Sequence, residues 1–321
     1  MFLGGGLGAN PSTSVEYPEL IEPKDILYHV EAITEMMINY GDYNNKHKAR
    51  VRIIFSELGE EEFLNKYNEK LNELKANENL DVSLAAMECL KEGKPTDIRH
   101  NRLFEQKQNG LYSVYFHPFG GQLYLKDLEN ILNTIEKMED IDLRLTMTEG
   151  IYIRNLNGDE AEQVLNITQG CGAETHLEES VSCIGVPTCQ MGICESQKLL
   201  EEIIKYFKDN NYTKDVLPRI HISGCMNSCG IHEAAIIGLA GTRKRINGEL
   251  KDAFELHLNG SFECGSSRLG KVYGCMECNV ISEFLYELSK AVEEKNINFQ
   301  DYLETYDSEL NGIVDKYIIK A

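Results

Sequence analysis

The sequence predicts an α+β chain of more than one domain, on three observations. Its 321 residues are enough for two or three compact domains, each with its own core. Apolar residues make up 42% of it, which excludes a chain disordered throughout. Segments with the helical spacing of apolar residues and segments with strand alternation both occur along its length.

The elements follow in chain order. Ile26, Leu27, Val30, Ile33, Met36 and Met37 share one face of a helix over 26–37, and Phe63, Leu64, Tyr67, Leu71 and Leu74 share one face of a helix over 60–74. Residues 76–110 are polar and mixed and read as a linker, with one short helix around 84–90. A compact unit over 111–170 comes next. It has a strand over 111–116, an HPFGG turn, and a helix carrying Leu125, Leu128, Ile131, Leu132, Ile135 and Met138. Alternating strands over 143–147 and 151–155 and a helix from 159 to 166 complete it. The order β-α-β-β-α is that of a ferredoxin-like unit. A mixed, cysteine-bearing domain over 179–321 follows. It has helices over 196–208, 280–294 and 308–318 and strands over 219–223, 234–241 and 253–258.

The opening FLGGGLG, the helix after it and LGEEEFLNKY are echoed late in the chain by HLNGS and SRLG, another helix and YDSELNGIVDKY. The two stretches look like the tails of two copies of one unit. On this reading residues 1–75 are the tail of a first repeat, so the chain begins partway through that repeat. Met1 then ends a strand, and Gly4 to Gly6 form the turn. Gly4 to Gly6 with Gly8 lack the G-x-G-x-x-G spacing of a phosphate loop.

Lys and Arg total 32 against 52 Asp and Glu, a formal net charge of −20. Nucleic acid as main partner and an anionic membrane surface are both excluded by that balance. The first residues have neither a basic region nor an apolar core of a signal peptide, and no stretch approaches eighteen consecutive apolar residues. A cytoplasmic location is expected. In that reducing compartment, clustered members of the ten cysteines point to metal or catalysis rather than disulfides.

Four cysteines form two close pairs, Cys183 and Cys189 in SCIGVPTC, and Cys225 and Cys229 in SGCMNSCG. Two loops giving two thiolates each can hold an iron–sulfur cluster. They can also hold zinc, although the first spacing suits zinc poorly, or they can be buried free thiols. The strand over 219–223 anchors the second loop, Gly224 and Gly230 let backbone approach a cofactor, and Pro187 stiffens the first loop. Cys264, Cys275 and Cys278 are either a small second metal site or ordinary reduced cysteines; Cys194 lies one turn past Cys189, and Cys89 and Cys171 carry no signal. His232 reads either as a proton donor or as a hydrogen-bonding structural histidine.

These motifs resemble the siroheme nitrite and sulfite reductases. CIGVPTC is similar to that family's C-x-G-x-P-T-C, and GCMNSCGIHEAAIIGLAG to its second cysteine motif. LRLTMTEGIYIRNL resembles its second ferredoxin-like repeat, and GGGLGANPS with KARVRIIFSELGEEEF resembles the end of its first half. The resemblance implies that Cys183, Cys189, Cys225 and Cys229 ligate a 4Fe–4S cluster. It implies too that Cys229 bridges the cluster to siroheme iron and that Asn227 lies against the macrocycle. The reaction implied is six-electron reduction of a small anion, nitrite to ammonia or sulfite to sulfide, with ferredoxin as donor. The run Asn227-Ser228-Cys229-Gly230 favours nitrite slightly.

The family's anion-binding Arg and Lys motifs belong to its N-terminal half and are not found here. Lys46, Lys48, Arg50 and Arg52 read as a solvated helix face, and Arg243, Lys244 and Arg245 stand where a siroheme carboxylate is within reach. The expectation is that the isolated chain binds the cluster, binds siroheme poorly and does not turn over substrate; either a second chain supplies the missing half, or the start is wrong or the gene broken. The rival readings are a siroheme-free electron-transfer module and an inactive fragment with an exposed apolar face.

Overall fold

The structure, a computed structural model, describes residues 1–83, 85 and 89–320. The chain divides into two compact units, Met1–Glu88 and Cys89–Ala321. Most of the short helix expected around 84–90 lies outside the described residues.

The first unit opens with β1 (Phe2–Leu3) paired antiparallel to β2 (Val15–Glu16). Gly4 turns the chain at φ +79°, where a Cβ would meet the Phe55 ring at 2.9 Å. Three helices follow: α1 (Ile26–Tyr40), α2 (Val51–Leu58) and α3 (Glu60–Asn77). The expected face of α3 is the buried one, with Phe63, Tyr67, Leu71 and Leu74 in the core. In α1 the expectation is corrected. Ile26, Leu27 and Val30 are exposed, while Tyr28, His29, Ala32 and Met36 are buried. The buried stripe carries polar atoms that nearby groups satisfy. Tyr28 donates to Asp81 (2.9 Å), and His29 Nδ1 pairs with the Tyr67 hydroxyl (2.7 Å). The expectation holds for Ile33, Met36 and Met37 and fails in the first turns, where Tyr28, His29 and Ala32 take the buried positions.

The second unit begins with a four-stranded antiparallel sheet of β3 (Leu103–Glu105), β4 (Tyr112–Phe116), β5 (Asp142–Leu145) and β6 (Ile151–Leu156), in the order β3-β4-β6-β5. Helices α4 (Leu125–Ile135) and α5 (Gly158–Thr168) bury Ile131, Ile135, Val164 and Leu165 with Val114, Phe116 and Ile153. Asn157 caps α5 with a reciprocal bond from its own N–H to Glu160 (3.1 and 2.8 Å). The segment expected as a linker is part of this unit from Cys89 onward. Lys94 bonds backbone to backbone with Gly110 and Gly158, β3 is the edge strand, and buried Arg102 bonds Thr168 (2.9 Å) and Glu174 (3.0 Å). Its polar composition hid these roles, because an edge strand and a buried ion pair do not need an apolar run.

The remainder is a five-stranded sheet in the order β11-β10-β9-β8-β7, with β7 (Val181–Ser182), β8 (Ile220–Ser223), β9 (Ile237–Ile246), β10 (Glu249–Leu258) and β11 (Lys271–Glu277). The first three run parallel and the last three antiparallel. Helix α6 (Ser196–Asp209) crosses from β7 to β8, and α7 (Cys278–Lys295), α8 (Phe299–Thr305) and α9 (Asp307–Tyr317) complete the core. Strands β9 and β10 extend well beyond their apolar halves. Asn247 and Gly248, both at positive φ, form their tight turn, and Arg243 and Asp252 pair across it at 2.9 Å.

Phe284 is fully buried in this core on α7. Phe284→Ala is expected to cost about 3–5 kcal/mol of unfolding free energy, read from the urea midpoint at unchanged slope.

Candidate functional site

Strands β7 and β8 are parallel, so both leave the sheet at the same edge. Cys183 follows the end of β7, and Gly224 and Cys225 follow the end of β8. The Gly224 N–H donates to Cys183 Sγ (3.0 Å), and its carbonyl accepts the N–H groups of Ile193 and Cys194, each at 2.9 Å. Within the first loop the Cys189 N–H donates to the Gly185 carbonyl (2.7 Å). In the second, Ser228 and Ile231 adopt left-handed backbone, at φ +59° and +64°. Cys225 is buried, Cys183 and Cys189 are half-buried, and Cys229 is exposed.

All four thiols share one electrostatic neighbourhood. The Cys229 thiol is pushed up, first by partial desolvation and then by the nearby Cys183, Cys225 and Cys189. Four thiolates held together in this way need a cationic core to ionise. Among the described residues, no three His, Cys, Asp or Glu side chains form a ready single-ion site.

The glycines of the second loop lie close against the protein's own backbone. A Cβ on Gly230 would lie 2.3 Å from the Ile222 carbonyl, and one on Gly224 would lie 2.8 Å from the Cys194 carbonyl. Gly224 admits the backbone of the first loop, and Gly230 lets the second loop fold back on its own strand β8. Asn227 and Met226 are exposed beside Cys229, and Ile184 and Met191 are exposed on the first loop.

His232 is fully buried, its Nδ1 2.9 Å from Ser223 Oγ, and its ring meets that of His257 edge-on at 4.9 Å. Burial drives its pKa down to about 3, so it is neutral and structural at physiological pH. The remaining cysteines are separated. Cys275 neighbours Lys244, whereas Cys278 neighbours Cys194, and Cys264 is exposed in the β10–β11 connection. Burial raises Cys194 to about 11 and Cys278 to about 12, as expected of inert packed thiols. Among the basic residues, Arg50 bonds the Lys46 and Ala49 carbonyls and Arg52 the Leu7 carbonyl. Arg243 to Arg245 lie within β9, where Arg243 pairs with Asp252 and Arg245 bonds the Gly248 carbonyl.

Sequence reasoning missed Glu149 and Gln197. Glu149 sits at φ +65° in the β5–β6 turn, and its carboxylate accepts the Ser182 N–H at 3.2 Å. Gln197 Nε2, on the first turn of α6, donates to the carbonyls of Ser182 (2.7 Å) and Gly120 (2.8 Å). The only trace in the sequence is a Glu-Gly pair in a hairpin turn.

Residues 1–75 match the family model described as the nitrite and sulphite reductase 4Fe-4S domain, and residues 104–170 match the nitrite/sulfite reductase ferredoxin-like half domain. The chain is 26% identical over 297 residues to the NADPH sulfite reductase hemoprotein beta-component of Oceanobacillus iheyensis, covering 84% of this chain and 46% of that one. It is 23% identical over 272 residues to the ferredoxin sulfite reductase 1 of Mycolicibacterium paratuberculosis, covering 81% and 47%. The fold matches the solved structure of the NirA protein of Mycobacterium tuberculosis with a TM-score of 0.74 at 20% identity, covering 94% of this chain and 56% of that one. Over residues 1–75 and 104–170 the chain is similar to the nitrite and sulfite reductases. It spans about half the length of the curated relatives it matches. The 4Fe-4S domain match falls on a stretch without cysteine, since the first cysteine of the chain is Cys89.

Burial raises the Glu149 carboxyl to about 7 from an ordinary 4.5, against a lowering by the Ser182 N–H. The folded chain therefore keeps this proton between those values while the unfolded chain has released it. The contribution to stability is complete below pH 4.5 and is lost as pH rises towards 7. Relative to wild type, Glu149→Gln is expected to gain stability between about pH 5 and about pH 8, measured as the urea midpoint at each pH.

Proposed function

We propose that this chain is the cluster-bearing half of a siroheme-dependent reductase that reduces a small anion, sulfite or nitrite, by six electrons. The observation that carries the reading is the convergence of Cys183, Cys189, Cys225 and Cys229 on one neighbourhood from two interlocked loops. These four residues would hold a 4Fe–4S cluster, with Cys229, the exposed member, also facing the siroheme iron and Asn227 beside it. When bound, the coupled group supplies electrons one at a time to an anion on the haem iron. The chain's own part is to fix four thiolates and to offer apolar surface at Ile184, Met191 and Met226 for a flat macrocycle. Residues 1–75 are read as the tail of a first copy of the unit over 179–321. In support, α1 to α3 follow the strands of the first unit as α7 to α9 follow those of the second.

The named relatives are sulfite reductases, which favours sulfite, while the Asn227 to Gly230 run favours nitrite. One relative's name specifies ferredoxin and another's NADPH, so an external electron donor is part of the reading. Among the described residues no helix is long and apolar enough to cross a membrane.

The test is anaerobic purification from a siroheme-producing host, with iron, acid-labile sulfide and visible spectrum recorded together. About four irons with matching sulfide per chain are expected; a colourless, zinc-loaded protein overturns the reading. Cys225→Ser is expected to lose most of the iron and Cys275→Ser to keep it. Reduced viologen oxidation with sulfite and with nitrite, in the presence of siroheme, then separates the two substrates.

A further inference from the structure

The backbone that carries Cys183 is held from two sides by side chains that belong neither to its own strand nor to its loop. The Ser182 N–H is accepted by Glu149 (3.2 Å) and the Ser182 carbonyl by Gln197 (2.7 Å). The Cys183 N–H goes to the Ile222 carbonyl (3.0 Å), and its carbonyl accepts the Ser196 hydroxyl (2.7 Å). Every backbone polar group of residues 182 and 183 therefore has a partner. Glu149 comes from the ferredoxin-like sheet, and Gln197 also grips Gly120 of that same layer. The turn that presents Glu149 is itself rigid. The Thr146 N–H bonds the Gly150 carbonyl at 2.9 Å, and His117 Nε2 lies 2.8 Å from the Thr148 carbonyl. Gly121 leaves room for the carboxylate, because a Cβ there would meet Glu149 Oε2 at 2.7 Å. The clamp lines a cavity of about 480 Å³ that continues along the first loop to Pro187 and Thr188.

We propose that Glu149 and Gln197 are positioning residues that clamp Ser182, and so set the place of the Cys183 thiol from the ferredoxin-like layer. The inference rests on reading Cys183 as a cluster ligand. It adds that the ferredoxin-like layer reaches the Cys183 backbone directly through Ser182, so that loosening the ferredoxin-like turn loosens the cluster. The effect of Glu149 comes from its oxygen as a hydrogen-bond acceptor and not from its charge. Gln at position 149 therefore substitutes for it and Ala does not.

The full chain is compared as wild type, Glu149→Ala, Glu149→Gln and Gln197→Ala. In the metal-free chain, hydrogen exchange at the Ser182 amide is expected to accelerate about fivefold in Glu149→Ala and to stay near wild type in Glu149→Gln. Alkylation of Cys183 by a maleimide, located by peptide mass mapping, is expected to accelerate in both alanine variants. In the iron-loaded chain the same two variants are expected to release iron to a chelator several-fold faster, with Glu149→Gln again unchanged. Wild-type exchange, alkylation and iron release in both alanine variants overturns the inference. Glu149→Gln behaving like Glu149→Ala overturns the acceptor argument. If Glu149→Ala does not fold, Gln197→Ala carries the test. A wild-type chain that takes up no iron refutes the functional reading, while the exchange and alkylation rates still decide the clamp.

Discussion

The site depends on one peptide, that of Gly224. Its N–H is committed to the Cys183 sulfur and its carbonyl to two N–H groups at the end of the first loop. Behind it Gly241 of β9 approaches so closely that a Cβ would lie 2.5 Å from that carbonyl. A side chain at either glycine would drive the loops apart. An N–H aimed at sulfur also stabilises the thiolate over the thiol, so one contact serves both geometry and ligand chemistry. The parallel pairing of β7 with β8 is what brings the two loops to the same edge, and the four-residue frame of the second loop does the rest.

Around that peptide the polar groups are used sparingly. Ser223 Oγ accepts from the Gly230 N–H and pairs with His232, so the far end of the second loop is tied to a buried neutral imidazole. His221 Nδ1 lies 2.8 Å from the Gly230 carbonyl, and burial lowers its pKa to about 4. Neutral histidines behind the loop add no charge of their own and leave the local charge to the four sulfurs.

Much of this was legible in the sequence, and what was not has physical causes. The four cysteines stand out because they fall in two pairs at short spacing, and α6, α7 and α9 follow their apolar stripes. The ends of β9 and β10 were missed because their pairing is carried by charges and by an Asn247-Gly248 turn, a strong hairpin signal that apolar periodicity ignores. β11 was missed because Gly274 and a bulge opposite Leu256 and His257 break its alternation. Cys275 and Cys278 drew attention as a motif, yet one faces Lys244 and the other Cys194, since one lies in a strand and the other opens a helix. Glu149 was invisible because its meaning lies in a partner 33 positions away.

The five-stranded sheet is ordered β11-β10-β9-β8-β7, so every strand pairs with its neighbours in sequence and no strand must wait for one made much later. For a chain emerging from the ribosome, that order is also a schedule. Both cysteine loops and all three parallel strands are synthesised before β10, β11 and the helices α7 to α9 that finish the core. The four thiols are therefore gathered early, on a half-built sheet still open on one side.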